Sequence, residues 1–299
     1  MIENLEEEIA SPPSIPLPVG AIECFAKLPE GRLRFLRAGS GPPLVLLHGL
    51  LGYSFSWRFN LAELAQRRTV FAIDQLGTGF SDRPANLDCS MSGVAHRTLA
   101  FLEQEIEGPF DLLGTSHGGA IAVWVAGMLA ARGNSQLQRL ILVAPANPWS
   151  EHGRVLAPFV AQPRVSAAFR WTVPRIRFAW GLALRRLYAD PKKIASGTLE
   201  GYAAPFDFPG SLEYGLKVLD TWLPDLEQMK IHLASIADTP TRLIWGAVDP
   251  AVLPESAEPL RQNFRNCDYV SFPGVGHLPY EEAPEDFNRA VEEFLQRAS

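Results

Sequence analysis

The feature that most restricts the fold is a set of short, largely unbroken apolar runs that end in turn residues and are interleaved with segments of helical periodicity. Leu44–Leu47 in PPLVLLHG is the first, and Thr69–Asp74, Phe110–Gly114, Leu137–Pro145, Thr241–Gly246 and Cys267–Gly274 repeat the pattern. A strand exposed on one face alternates apolar and polar residues. A run without alternation is buried on both faces, as in a parallel sheet covered by helices. Helical patterns at Ser56–Gln66, Met91–Gln104, Gly118–Arg132 and Ala283–Arg297 supply that cover. Two further strand candidates, Ile22–Lys27 and Arg32–Arg37, flank the turn Pro29-Glu30-Gly31. The expectation is an α/β fold with a mostly parallel sheet flanked by helices, and a site at the C-terminal ends of its strands.

The alternation breaks once. Residues 148–238 hold helical patterns (Val165–Tyr188, Ser211–Leu233) but no convincing buried strand, and they carry four of the seven tryptophans. Structureless loops of that length are rare, so the stretch reads as an inserted helical cap. The core is then 21–147 and 239–299, preceded by an arm over residues 1–20 that opens acidic and turns proline-rich. A formal net charge of -6 argues against broad electrostatic binding to nucleic acid. No run of 18 apolar residues predicts a membrane span. The start of the chain has neither the basic end nor the apolar stretch of a secretory signal. Three cysteines, far apart and without CxxC spacing, point to a reducing compartment. A cytoplasmic protein is expected.

Chemistry concentrates where the run FDLLG passes into GTSHGGAIAVWVAG. Gly114-Thr115-Ser116-His117-Gly118 has the G-x-S-x-G spacing of a nucleophile elbow between a strand and a helix. A sharp turn of this kind crowds the backbone, so glycines two residues either side leave room for the serine's conformation. Ser116 would then project above the sheet at a helix N-terminus, where backbone N–H groups face a developing anion. A serine nucleophile needs a base. His277, after the last strand, is favoured by position; His48 reads as a loop-holding residue, His96 as surface or packing, and His152 and His232 as cap residues. The base needs an orienting carboxylate. Asp249 ends the strand RLIWGAVD, and the order Ser116, Asp249, His277 fits the elbow's partners. Asp74 also ends a strand but precedes the serine.

With HGLLG (His48–Gly52), DQLGTGFSD (Asp74–Asp82), GTSHGG (Gly114–Gly119), GAVD (Gly246–Asp249) and GHLPYEEAP (Gly276–Pro284) in this order, the chain resembles the α/β-hydrolase family over nearly everything after residue 30. The resemblance implies an eight-stranded sheet, a helical cap between strands six and seven, and an oxyanion hole made by the backbone N–H groups of Leu50 and His117. It also bears on the reaction. Dehalogenases and epoxide hydrolases of this family use an aspartate nucleophile, which Ser116 replaces. Prolyl aminopeptidases and meta-cleavage C–C hydrolases usually carry Gly-Pro-containing oxyanion loops, which HGLLG lacks. The expected activity is that of a carboxylesterase acting on a small apolar alkyl or aryl ester, with no metal or cofactor. Cleavage of meta-cleavage-type diketones is the alternative reaction, and a slowly hydrolysing small-ligand receptor is the alternative of another class. Cap tryptophans Trp149, Trp180 and Trp222 are the expected substrate contacts.

Overall fold

A computed structural model describes residues 15–150, 159–160, 162, 164–165, 168 and 177–297, with the backbone alone for 177–180. Residues 1–14 of the expected arm, and Trp171 and His152 of the expected cap, lie outside the described residues.

Eight strands form one sheet in the order β1-β2-β4-β3-β5-β6-β7-β8. β1 (Ala21–Leu28) and β2 (Gly31–Ala38) form a hairpin, and β2 is antiparallel to both its neighbours. β3 (Pro43–Leu47), β4 (Thr69–Ile73), β5 (Phe110–Thr115), β6 (Leu137–Val143), β7 (Thr241–Gly246) and β8 (Cys267–Phe272) are mutually parallel. Five of the six apolar runs are largely buried on both faces, whereas β8, at the edge of the sheet with a neighbour on one side only, is partly exposed along its length. Successive strand residues point to opposite sides, so Val45, Leu47, Leu112, Leu142 and Trp245 join one apolar cluster. Leu44, Leu46, Leu113, Ile141 and Ile244 join the other. The first cluster is covered by the helices Met91–Glu105 and His117–Ala131, the second by the helix Pro284–Leu295 with Trp57 and Leu61.

Two helical expectations change. Ser56–Gln66 forms only a 3-10 turn, Ser54–Trp57, and a short helix, Leu61–Leu64. Ser211–Leu233 divides into Ser211–Asp220 and Trp222–Ser235. Pro224 explains the break, because it has no N–H for the Asp220 carbonyl and is tolerated only in a helix's first turn. The second of these helices does more than top the sheet. It lies along His117–Ala131, and its Leu226, Met229 and Leu233 are part of the first cluster. Among the described residues no helix is long and apolar enough to cross a membrane.

Ile141, fully buried at the centre of β6, stands away from the strand ends. Ile141→Ala should cost about 2–5 kcal/mol of stability. Urea unfolding should show this as a lowered midpoint with an unchanged slope.

Candidate active site

Ser116 follows β5 and immediately precedes the helix His117–Ala131, with φ 51° and ψ −119°. A non-glycine residue there is strained by about 1–3 kcal/mol and is held only if its surroundings fix it. They do: the Ser116 N–H donates to the Val143 carbonyl at 2.9 Å, and its carbonyl accepts from Gly119, Ala120 and Ala146 at 3.0, 3.2 and 2.9 Å. The flanking glycines are required by close approach. A Cβ on Gly114 would sit 2.3 Å from the Gly118 carbonyl oxygen, and one on Gly118 would sit 2.3 Å from that of His48.

The sheet edge also brings Asp249 and His277 together. Asp249 follows β7, His277 follows β8, and the imidazole Nδ1 donates to Asp249 Oδ2 at 2.7 Å with both groups buried. The other carboxylate oxygen accepts from the N–H groups of Ala251 and Val252 at 2.8 and 3.0 Å, which fixes its orientation. Ser116 stands at the same edge, half-buried, in the wall of a cavity of about 270 Å³. Leu50, Ala146, Val160, Leu219, Trp222, Leu226, Ala251 and Val252 make that wall mostly apolar, with Asn147 and Ser150 as its other polar residues. Gly49 abuts Ser116, where a Cβ would lie 3.3 Å from the serine Cβ. Among the described residues the N–H groups of Leu50 and His117 have no hydrogen-bond acceptor.

The other described histidines are occupied elsewhere. His48 Nε2 accepts the Gln75 N–H at 3.2 Å, so its proton is on Nδ1, which donates to the Gly49 carbonyl at 2.7 Å. Burial lowers its pKa. His117 stacks on Trp222 with ring centroids 5.9 Å apart, and burial, with His48 nearby, pushes its pKa down to about 3. His96 Nδ1 lies 2.9 Å from the Ser92 carbonyl on an exposed helix face, and His232 packs on Trp124 at 4.3 Å. Asp74 serves the structure: its carboxylate accepts from Arg34, Ser54 and Phe80.

Of the expected cap contacts, Trp222 reaches the cavity. Trp149 instead packs half-buried on the core, its N–H bound by Asn147 Oδ1 at 3.0 Å. Trp180 lies in the helix Arg177–Leu187, its side chain outside the described residues. The sequence reading missed Asn147, Ser150, Ala251 and Val252 as wall residues. Their signal was position, in the loops directly after β6 and β7. Among the described residues no group of three or more potential metal-ligating side chains occurs.

Comparison with known proteins agrees with this architecture. A model described as the alpha/beta hydrolase family matches residues 44–290. The chain is 26% identical over 260 residues to a pimeloyl-[acyl-carrier protein] methyl ester esterase of Nitrosomonas europaea, covering 83% of this chain and 94% of that protein. It is 26% identical over 299 residues to epoxide hydrolase 4 of Mus musculus, covering 91% and 79%. A solved alpha/beta hydrolase fold protein from Burkholderia ambifaria superposes with a TM-score of 0.78 at 27% identity, over 90% of this chain and 97% of that one.

The buried, neutral His117 should make the fold acid-sensitive. Above its ordinary pKa of 6.5 the ring is neutral folded and unfolded, and contributes nothing to pH dependence. Between 6.5 and about 3 the unfolded chain takes up a proton that the folded chain refuses, so stability falls as pH falls. In His117→Phe the loss of stability between pH 7 and pH 4 should be smaller than in wild type, measured as urea midpoints. Identical slopes would count against the assignment.

Proposed function

Because the chain belongs to the alpha/beta hydrolase family, we propose that it is a serine carboxylesterase that cleaves esters with an apolar alkyl or aryl group through an acyl-enzyme. The observation that carries this reading is the Ser116 elbow opening onto an apolar cavity beside two backbone N–H groups that have no acceptor among the described residues.

In this mechanism the ester enters the cavity with its carbonyl oxygen toward the N–H groups of Leu50 and His117. His277 Nε2 takes the proton of Ser116 as Oγ attacks the carbonyl carbon, and the two N–H groups hold the negative charge that develops on oxygen. Asp249 keeps the Nδ1 proton in place and stabilises the imidazolium that forms. The imidazolium then gives its proton to the leaving alcohol. Water, activated by the same histidine, attacks the acyl-enzyme, releasing the acid and restoring the Ser116 hydroxyl. The acyl-transfer steps need only a base, an orienting acid and anion stabilisation, so no cofactor is invoked. A serine at the elbow favours an ester over an epoxide, whose opening by this family needs a carboxylate there. The similarity to a methyl ester esterase supports the same choice.

The residues 148–238 act in this reading as the specificity element. Their part that borders the cavity includes Val160, Leu219, Trp222 and Leu226. These side chains meet the ester's apolar group and exclude water, which strengthens the hydrogen bonds to the oxyanion.

A serine-directed fluorophosphonate should label Ser116, and Ser116→Ala should lose both label and turnover. Asp249→Asn should lower kcat by on the order of 10⁴-fold, because it supports the wrong imidazole tautomer. Substantial ester hydrolysis by Ser116→Ala would overturn the mechanism. Trp222→Ala should change the ranking of kcat/KM among acetate, butyrate and octanoate esters while the small phosphonate still reacts. A uniform drop across the three esters would remove Trp222 from the specificity element.

A further inference from the structure

The turn Pro279–Glu282 begins two residues after His277 and carries two adjacent, buried carboxylates. A carboxylate buried without partners is strongly disfavoured. Their partners lie in the stretch 187–202, in Arg58 and in the loop of His277 itself. The Glu281 side chain is 0% exposed. It is gripped by both guanidinium nitrogens of Arg58, at 3.0 and 2.7 Å, and accepts the hydroxyls of Tyr188 and Tyr202. Burial and this carboxylate hold both tyrosine hydroxyls well above the usual range, so they remain protonated donors. Arg58 also donates to the Thr198 hydroxyl at 2.9 Å.

Glu282 faces two ways. Its Oε1 accepts the N–H of Gly276, the residue before His277, at 2.7 Å, and its Oε2 accepts that of Ala189 at 3.0 Å. The His277 N–H itself donates to the Leu187 carbonyl at 2.7 Å. The contact is tight, because a Cβ on Gly276 would lie 2.4 Å from that same carbonyl oxygen. Asp249 therefore orients the ring of His277, while its backbone is held by Leu187 and, through Gly276, by Glu282. Those two also fix the end of the helix Arg177–Leu187.

We propose that Glu281 and Glu282 are positioning residues that keep His277 in register with Ser116 by docking the segment Leu187–Tyr202 against its loop. This rests on the reading of His277 as the base. The segment is thus a fixed support of the histidine loop, and its docking is a condition of catalysis rather than of substrate binding.

Two variants separate this from a purely stabilising contact. Glu282→Gln keeps the volume but offers one carbonyl acceptor, so it can serve Gly276 or Ala189 and not both. The double variant Tyr188→Phe/Tyr202→Phe keeps both rings and removes two donors to Glu281. Each is assayed well below its thermal midpoint with a short-chain aryl ester. Proton NMR of the unliganded protein follows the His277 Nδ1 proton that bonds Asp249, a signal that does not depend on turnover. A fall in kcat of about 10–100-fold is expected, since small misplacements of a catalytic group cost that much. KM should stay within about twofold, and the Nδ1 resonance should shift or broaden in both variants. If one variant fails to fold, the other decides. A wild-type kcat, or a lost kcat with an unmoved resonance, overturns the proposal. An inactive wild type whose Nδ1 resonance still moves in the variants overturns the ester reading and leaves the positioning of His277 standing.

Discussion

The close approach of three chain segments around Ser116 is the constraint on which the rest of the site depends. The ends of β3 and β5 and the loop after β6 converge there so tightly that Gly114, Gly118 and Gly119 would each place a Cβ within 2.6 Å of a neighbouring backbone or side-chain atom. Side-chain atoms cannot share that space, so the glycines are a packing requirement. The same convergence holds Ser116 at φ 51°. It also brings Leu50 into the wall of the cavity that Ser116 lines. Strain at one residue is stabilised by four backbone hydrogen bonds around it.

The sheet makes that convergence possible. Six parallel strands, all but the partly exposed edge strand β8 largely buried, put their C-terminal ends along one edge, and the loops leaving those ends carry Ser116, Asp249 and His277. Burial then sorts the ionisable groups. His48 and His117 are enclosed without a carboxylate partner, and desolvation favours their neutral forms. His277 is equally buried but hydrogen-bonded to a carboxylate that two backbone N–H groups hold still. Only the last arrangement is the one that the proposed proton transfer requires.

Among the described residues, the stretch between β6 and β7 has two kinds of attachment. Trp222–Ser235 adheres through apolar contact along His117–Ala131, with a ring contact at both of its ends, Trp222 stacked on His117 and His232 tilted against Trp124. Leu187–Tyr202 packs Tyr188, Tyr202, Ile194 and Leu199 on the second cluster and is fastened in addition through polar groups, with Arg58, Glu281 and Glu282 at the centre. Apolar contact tolerates small sliding, whereas a network of charged hydrogen bonds specifies one register. The polar fastening sits beside the histidine loop, where register matters most.

Much of this was legible in the residue order. The unbroken apolar runs determined a parallel sheet, because only burial on both faces makes continuous apolar sequence favourable in a strand. The glycine spacing around Ser116 and the placement of Asp249 and His277 after later strands determined which residues the sheet edge would carry. The extent of helices was less legible: Ser56–Gln66 has helical periodicity yet forms a turn and four helical residues, since local periodicity is outweighed by where Trp57 and Leu61 must pack. Tertiary structure alone decided which tryptophan faces the cavity. Trp149 and Trp222 are equivalent by composition, and an Asx-type bond from Asn147 turns one onto the core while the helix start presents the other to Ser116. It alone also joined Glu281 to Arg58, Tyr188 and Tyr202, residues 79 or more positions away in the chain. Sequence records which groups need partners when buried, but partners that far apart are chosen by packing, which no local pattern encodes.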